Sequence, residues 1–141
     1  MHTLRGHCHC GNLEVTMETS LQPEALPVRE CQCSFCRRHR ARTTSDPNGC
    51  VHIHAHAAED LNRYRFGLRT ADFLVCRRCG NYLAAVMNTA DGRSYAVVNI
   101  NLMEAAPRFT QPPAAMTYDG ETAAQRQARR IAKWTPVGAL D

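Results

Sequence analysis

Lysine is nearly absent from this chain of 141 residues, because Lys133 is the only lysine among 17 basic residues. Aromatic residues are also scarce at 6%, so we expect something besides side-chain packing to help hold the core together. No stretch approaches the roughly 20 apolar residues that cross a bilayer. Residues 1–11 hold no apolar segment of the kind that directs secretion, and we therefore expect a cytoplasmic protein without a membrane partner.

The charge of the chain is only mildly basic, with a formal net value of +4. Nucleic-acid-binding domains usually carry a stronger and more clustered positive charge. The two basic stretches, 37–42 and 126–133, contain almost no aromatic residues on which bases could stack. These observations argue against nucleic acid as a partner.

Alternating apolar and polar residues predict an all-β or β-rich fold. The segments with this pattern are 11–18, 51–55, 73–76, 82–87 and 94–102. Turn signals at 46–49 (DPNG) and 90–92 (ADG) separate some of them. Short strands with frequent turns favour this class over a helical bundle.

The prolines at 107, 112 and 113 mark a change in the character of the chain. We therefore divide it into a domain over residues 1–106 and a C-terminal extension over 107–141. Within the extension, residues 121–134 have the pattern of a short amphipathic helix. Its apolar face consists of Ala124, Ala128, Ile131 and Ala132. Such a helix either docks on the domain or forms a mobile end.

Seven of the eight cysteines fall into three clusters, namely Cys8 with Cys10, Cys31 with Cys33 and Cys36, and Cys76 with Cys79. In a reducing compartment such spacings predict metal ligands or catalytic thiols rather than disulfides. Tetrahedral zinc has thiolate sulfurs about 2.3 Å away, which favours close pairs from two distant segments. Seven sulfurs divide most naturally into four and three, which predicts two zinc ions per chain.

Four thiolates close a structural zinc site, whereas three leave a position open to water or substrate. The simplest partition joins the first and last clusters in the structural site and leaves the middle one for the catalytic site. The spacing alone does not decide which cluster supplies the three. His39, three residues after Cys36, or Cys50, outside the clusters, would close the second site if either were a ligand. We read the alternating row His52, His54 and His56 as a solvent-facing strand edge.

Three motifs of the sequence resemble those of the glutathione-dependent formaldehyde-activating enzyme family, which includes centromere protein V. They are 6–11 (GHCHCG), 31–38 (CQCSFCRR) and 73–80 (FLVCRRCG), and 91–102 is similar to the strand pair that follows them in the family. The resemblance covers residues 4–104. It implies an Mss4-like, zinc-stapled β fold with structural ligands Cys8, Cys10, Cys76 and Cys79 and catalytic ligands Cys31, Cys33 and Cys36.

The resemblance also implies an enzyme that condenses glutathione with formaldehyde to S-hydroxymethylglutathione, an activity assigned to the carbon–sulfur lyases. We expect a small thiol of the glutathione type and an aldehyde as substrates. Arg37 and Arg38 follow Cys36 directly, and we expect their guanidinium groups to bind carboxylates of the thiol. The alternative is a non-catalytic zinc-stapled module that binds nucleic acid or protein through its basic segments, as the centromere member suggests.

Overall fold

Eleven strands and two α-helices form the fold of this computed structural model, which describes residues 1–141. The strands are β1 His2–His7, β2 Leu13–Thr19, β3 Arg29–Cys31, β4 Thr43–Thr44, β5 Cys50–Ala55, β6 Leu61–Tyr64, β7 Asp72–Cys76, β8 Tyr82–Asn88, β9 Ser94–Asn99, β10 Ala114–Met116 and β11 Thr135–Leu140. The helices are α1 Ser34–His39 and α2 Ala123–Lys133. The predicted β-rich class is confirmed.

The strands form one branched sheet in the order β1-β2-β5-β11-β9-β4-β3-β10. The branch lies at β9, because one of its edges pairs with β8, which leads on to β7 and β6. Its other edge is divided, with Ala96 opposite β11 and Asn99 opposite β4. Strand β11 runs parallel to β5 and antiparallel to β9, so it joins the two halves of the sheet.

The alternation of β2 and β5 places their apolar side chains on one face. Leu13, Val15 and Met17 of β2 are fully buried together with Val51 and Ile53 of β5. Strand β8 is buried on both faces, which explains its nearly continuous apolar sequence. The buried residues form a larger cluster that includes Cys8 and Cys76 and a smaller one that includes Cys36. The cysteine groups are therefore built into the two parts of the core.

Two strand predictions need correction. The strand predicted over 94–102 ends at Asn99, because the Asn99 side chain accepts a hydrogen bond from the Asn101 backbone N–H at 3.1 Å and starts a 3-10 turn. The histidines of β5 face solvent as predicted, but β5 lies between β2 and β11 rather than at an edge.

The C-terminal extension packs against the rest of the chain. Strand β10 pairs in parallel with β3, and β11 completes the centre of the sheet. Helix α2 begins with a capping box, in which Thr122 and Gln125 bond reciprocally to each other's backbone N–H. Neither α1 nor α2 is long and apolar enough to cross a membrane.

The orientation of α2 differs from the sequence prediction. The apolar positions Ala124, Ala128 and Ala132 are exposed, and Ile131 is 41% exposed. The helix turns its arginine-bearing side inward, where Arg130 is only 7% exposed. The alanines offer little surface to bury, whereas the long stems of the arginines cover apolar area while their guanidinium groups reach polar partners.

Candidate metal centres

Two turns at the ends of β1 and β7 carry the four-cysteine group. In the first, the Gly11 backbone N–H donates to the Cys8 carbonyl at 2.9 Å, and the Leu13 N–H donates to Cys8 Sγ at 3.3 Å. In the second, the Gly80 N–H donates to the Cys76 carbonyl at 2.9 Å. Both glycines have positive φ, +86° and +78°, a conformation that favours glycine. The glycines thus let the backbone fold around the sulfurs.

The sulfurs of Cys8, Cys10, Cys76 and Cys79 all lie within 4.8 Å of one another. Cys10 Sγ is 3.6 Å from Cys8 Sγ and 3.5 Å from Cys76 Sγ. Tetrahedral zinc at 2.3 Å from each sulfur requires separations of about 3.8 Å, so the donor set fits this ion. Burial raises the pKa of Cys8 to about 12, and a divalent cation would offset the cost of ionising the thiol. The group has the composition of a closed structural site.

The three-cysteine group is built where β3 leads into α1. Cys31 ends β3, Cys33 caps α1 by accepting a hydrogen bond from the Cys36 backbone N–H at 3.4 Å, and Cys36 lies buried in the helix. The helix is only six residues long, and Arg40, which follows its last residue, has φ of 49°. This short turn brings three sulfurs to within 4.8 Å of one another.

The thiol groups of Cys31, Cys33 and Cys36 lie close enough to shift one another's pKa. The hydrogen bond from Cys31 is the main cause that lowers the pKa of Cys33 to about 2. The interactions of Cys36 with Cys31 and with Cys33, followed by burial, raise the pKa of Cys36. The soft sulfur donors of this group fit zinc.

Neither residue considered for a fourth ligand joins this group. The ring of His39 packs 4.5 Å from that of Phe35. Cys50 lies on β5, where its sulfur is 3.7 Å from His52 Nε2. The neighbouring His54 contacts Asp141 at 3.2 Å and also lies outside both cysteine groups.

Two cavities, of about 300 and 290 Å³, open onto the three-cysteine group. Both have the following residues in their walls: Cys31, Phe73, Tyr118, Arg129 and Arg130. Cys36 lines the first cavity only, and Cys33 the second only. The three cysteines thus contribute to the walls of two spaces of small-molecule size.

Positive charge in these cavities comes mainly from residues that sequence reasoning did not select. Arg29, Arg129, Arg130 and Lys133 line the first cavity. Arg37 and Arg38 lie on the exposed side of α1 and line neither cavity. Their contact with a substrate stays a prediction. One signal was available: the sequence of α2 holds four basic residues and no acidic one, a composition that suits a helix facing an anion.

A family model described as glutathione-dependent formaldehyde-activating enzyme matches residues 3–119. The chain belongs to this family. This chain is similar to the crystal structure of a Rhodobacter sphaeroides protein that was determined as a structural genomics target. The two sequences are 32% identical, and the TM-score is 0.57. The match covers 79% of this chain and 99% of the Rhodobacter protein. No curated protein matches the sequence. Helix α2 and strand β11 lie beyond the residues that the family model matches.

Proposed function

We propose that this protein is a zinc-dependent enzyme of the carbon–sulfur lyase type. It forms or cleaves the adduct between a small thiol such as glutathione and an aldehyde such as formaldehyde. The observation that carries the proposal is the group of Cys31, Cys33 and Cys36, which has three sulfur donors, no fourth protein ligand and two adjoining cavities. Membership of the family supports the thiol–aldehyde chemistry.

Two zinc ions per chain are part of the proposal. Cys8, Cys10, Cys76 and Cys79 would hold the structural ion, and the three-cysteine group would hold the second. When bound there, zinc supplies positive charge that favours the thiolate form of a substrate thiol at neutral pH. The cysteines must be reduced to serve as ligands, so we place the protein in a reducing compartment such as the cytoplasm.

The residues around the cysteines would bind the substrates and limit access of water. The aromatic rings of Phe73 and Trp134, with Met116, provide apolar wall in the first cavity. The cations Arg29 and Arg130 make this space positive, which favours a substrate that is negatively charged. Holding thiol and aldehyde together in one cavity lowers the entropy cost of their reaction.

The chemical step conserves all atoms and needs no oxidant or reductant. The thiol sulfur forms a bond to the carbonyl carbon, while the π electron pair of the carbonyl moves onto its oxygen. That oxygen takes up a proton equivalent to the one that the thiol loses, which gives the hydroxymethyl thioether. Cleavage follows the reverse path.

Exchange NMR with ¹³C-formaldehyde and glutathione tests the proposal, because it measures the rate of adduct formation and cleavage at equilibrium. Zinc-loaded protein is expected to accelerate exchange above the uncatalysed rate. Cys33→Ser should abolish the acceleration, whereas the control Cys50→Ser should retain it. If the zinc-loaded protein leaves the exchange rate of every thiol tested unchanged, the enzyme proposal is wrong and the non-catalytic module is favoured.

A further inference from the structure

The first cavity beside the three-cysteine group is lined by four cations and by no acidic residue. They come from two elements, with Arg29 on β3 and Arg129, Arg130 and Lys133 on α2. The second cavity adds Arg126 and one carboxylate, that of Asp119. A concave space with this excess of positive charge attracts and orients anions.

The arginines of α2 differ in whether a carboxylate neutralises them. Glu121 accepts hydrogen bonds from Arg129 Nε at 2.7 Å and from Arg126 Nε at 3.2 Å. The guanidinium carbon of Arg129 also lies 3.5 Å from the centre of the Tyr118 ring. Arg126 and Arg129 are thus already paired, and their placement is explained without a ligand.

Arg130 has no carboxylate partner, although it is buried and only 7% exposed. Its Nη1 donates to Thr70, at 2.9 Å to Oγ1 and 3.3 Å to the carbonyl, and its guanidinium carbon lies 4.6 Å from the centre of the Trp134 ring. Its buried Nε has no acceptor in the protein. Burial lowers the pKa of Arg130 to about 10. Burying a cation that contacts only neutral groups costs free energy, and a bound anion would offset this cost.

Arg29 is held in a similar way. Its Nη1 donates to Ser45 Oγ at 2.8 Å, and the same hydroxyl donates to the Lys133 carbonyl at 2.7 Å. None of the ion pairs in the structure includes Arg29. The hydroxyl of Ser45 therefore fixes Arg29 against the end of α2 and leaves its charge uncompensated.

We infer that Arg29 and Arg130 form an anion subsite beside the three-cysteine group, which binds a carboxylate of the substrate. This inference rests on the proposed function and narrows its substrate class to a thiol or an aldehyde that carries a carboxylate. Planar guanidinium groups suit this ligand because they bind carboxylates through paired hydrogen bonds. One half of the subsite, Arg130, lies on α2 beyond the residues matched by the family model, whereas Arg29 lies within them.

Calorimetric binding to the zinc-loaded full chain tests the subsite with two matched ligand pairs. The thiol pair is 3-mercaptopropionate and 2-mercaptoethanol, and the aldehyde pair is glyoxylate and glycolaldehyde. The carboxylated member of at least one pair should bind more tightly, and the pair that shows the preference identifies which substrate carries the carboxylate. Arg130→Gln should weaken the binding of that carboxylated ligand at least about tenfold, as expected for the loss of a hydrogen bond between charged groups. The affinity for the neutral member of the pair should not change.

Three further variants complete the experiment. Arg29→Gln should give the same selective loss, and it replaces Arg130→Gln if that variant does not fold. Arg93→Gln removes the same charge from an exposed turn outside the cavities and should retain the preference. The double variant Arg37→Gln, Arg38→Gln tests the competing expectation from the sequence, that these arginines of α1 bind the carboxylate; if Arg29 and Arg130 bind it instead, the preference is retained.

Several results would overturn the inference. They are the lack of a carboxylate preference in both pairs, a preference that survives both Arg29→Gln and Arg130→Gln, and a preference lost only with Arg37 and Arg38. Wild-type protein that binds neutral thiol without any preference refutes the subsite and leaves the enzyme proposal standing. A preference that depends on Arg130, combined with no acceleration of exchange, supports the subsite and refutes the enzyme proposal. If none of the four ligands binds, the subsite is wrong, and the exchange measurement alone decides the enzyme proposal.

Discussion

The side-chain oxygen of Asn81 accepts a hydrogen bond from the backbone N–H of His9 at 2.7 Å, across 72 positions of the sequence. His9 lies between Cys8 and Cys10, and Asn81 follows the turn that carries Cys76 and Cys79. The bond therefore joins the two turns of the four-cysteine group directly. The same oxygen lies 3.7 Å from Cys79 Sγ, so Asn81 links the backbone of the first turn to a cysteine of the second.

Asn81→Ala should lower the free energy of unfolding by about 1 kcal/mol, because it removes this bond and leaves the His9 N–H without its acceptor. Urea unfolding of the zinc-loaded protein measures the change. Asn62→Ala, on the exposed part of β6, is the matched control and should have little effect. Equal stability of the two variants would show that the bond does not hold the turns together.

Loss of a ligand from the four-cysteine group should be far more damaging than loss of the cysteine outside the groups. Cys76→Ser is expected to lose one zinc per chain and to be unfolded or insoluble, because structural zinc contributes free energy comparable to the roughly 5–15 kcal/mol net stability of a domain. Cys50→Ser should keep two zinc ions and a nearly unchanged melting temperature. Zinc content and thermal unfolding measure both outcomes, and a folded Cys76→Ser protein with full zinc content would refute the structural site.

Glu121→Gln should lower the free energy of unfolding by about 1 kcal/mol at pH 7, because Glu121 joins two half-buried arginines at the start of α2. The hydrogen bond from Arg129 is the largest cause that lowers the pKa of Glu121 below its ordinary value of 4.5. A carboxyl whose pKa is lowered on folding stabilises the fold above its ordinary pKa and loses this effect as the pH falls through the folded value.

The stability difference between wild type and Glu121→Gln should therefore stay constant from pH 8 to about 5 and shrink only at lower pH. Denaturant unfolding across this range measures it. A difference that already declines between pH 7 and pH 6 would assign the effect to another group.

Removal of zinc should occur in two separate phases. The three-cysteine group opens onto cavities and has one protein ligand fewer, so its ion should reach a chelator well before the ion of the closed group. Zinc release into a chromogenic chelator should show one fast and one slow equivalent per chain. Cys33→Ser should remove the fast phase and retain the slow one, whereas a single phase in the wild type would contradict the assignment of an open and a closed site.

The sequence was most informative where chemistry restricts the residue type. The spacing of the seven clustered cysteines predicts two groups of sulfurs, and the structure brings these groups together, with the sulfurs of Cys10 and Cys76 3.5 Å apart. Alternation located the central strands for the same reason, since β2 and β5 each bury one face. Strand β1 was missed because HTLRGH contains only one large apolar residue. Strand β11 was missed because Pro136 and Gly138 interrupt its pattern.

The cavity could not be predicted from the sequence because its walls are far apart along the chain. Arg29 and Arg130 become neighbours of the same space only after β10 pairs with β3 and α2 folds back. Helix α2 also carries Arg130 on the side that packs inward, whereas amphipathicity predicts that the apolar side does so. This departure from the usual pattern occurs where the helix lines the candidate site, which is where local rules are most often broken.

Zinc analysis combined with X-ray absorption spectroscopy, on freshly purified reduced protein, tests the central claim most directly. The account predicts two zinc ions per chain in wild type. In Cys33→Ser one ion should remain, bound to four sulfur atoms. Adding a small thiol to the wild type should raise the mean number of sulfur ligands from below four to four, as the open position fills. One zinc per chain, four protein sulfurs on both ions, or disulfides in place of metal would contradict the account.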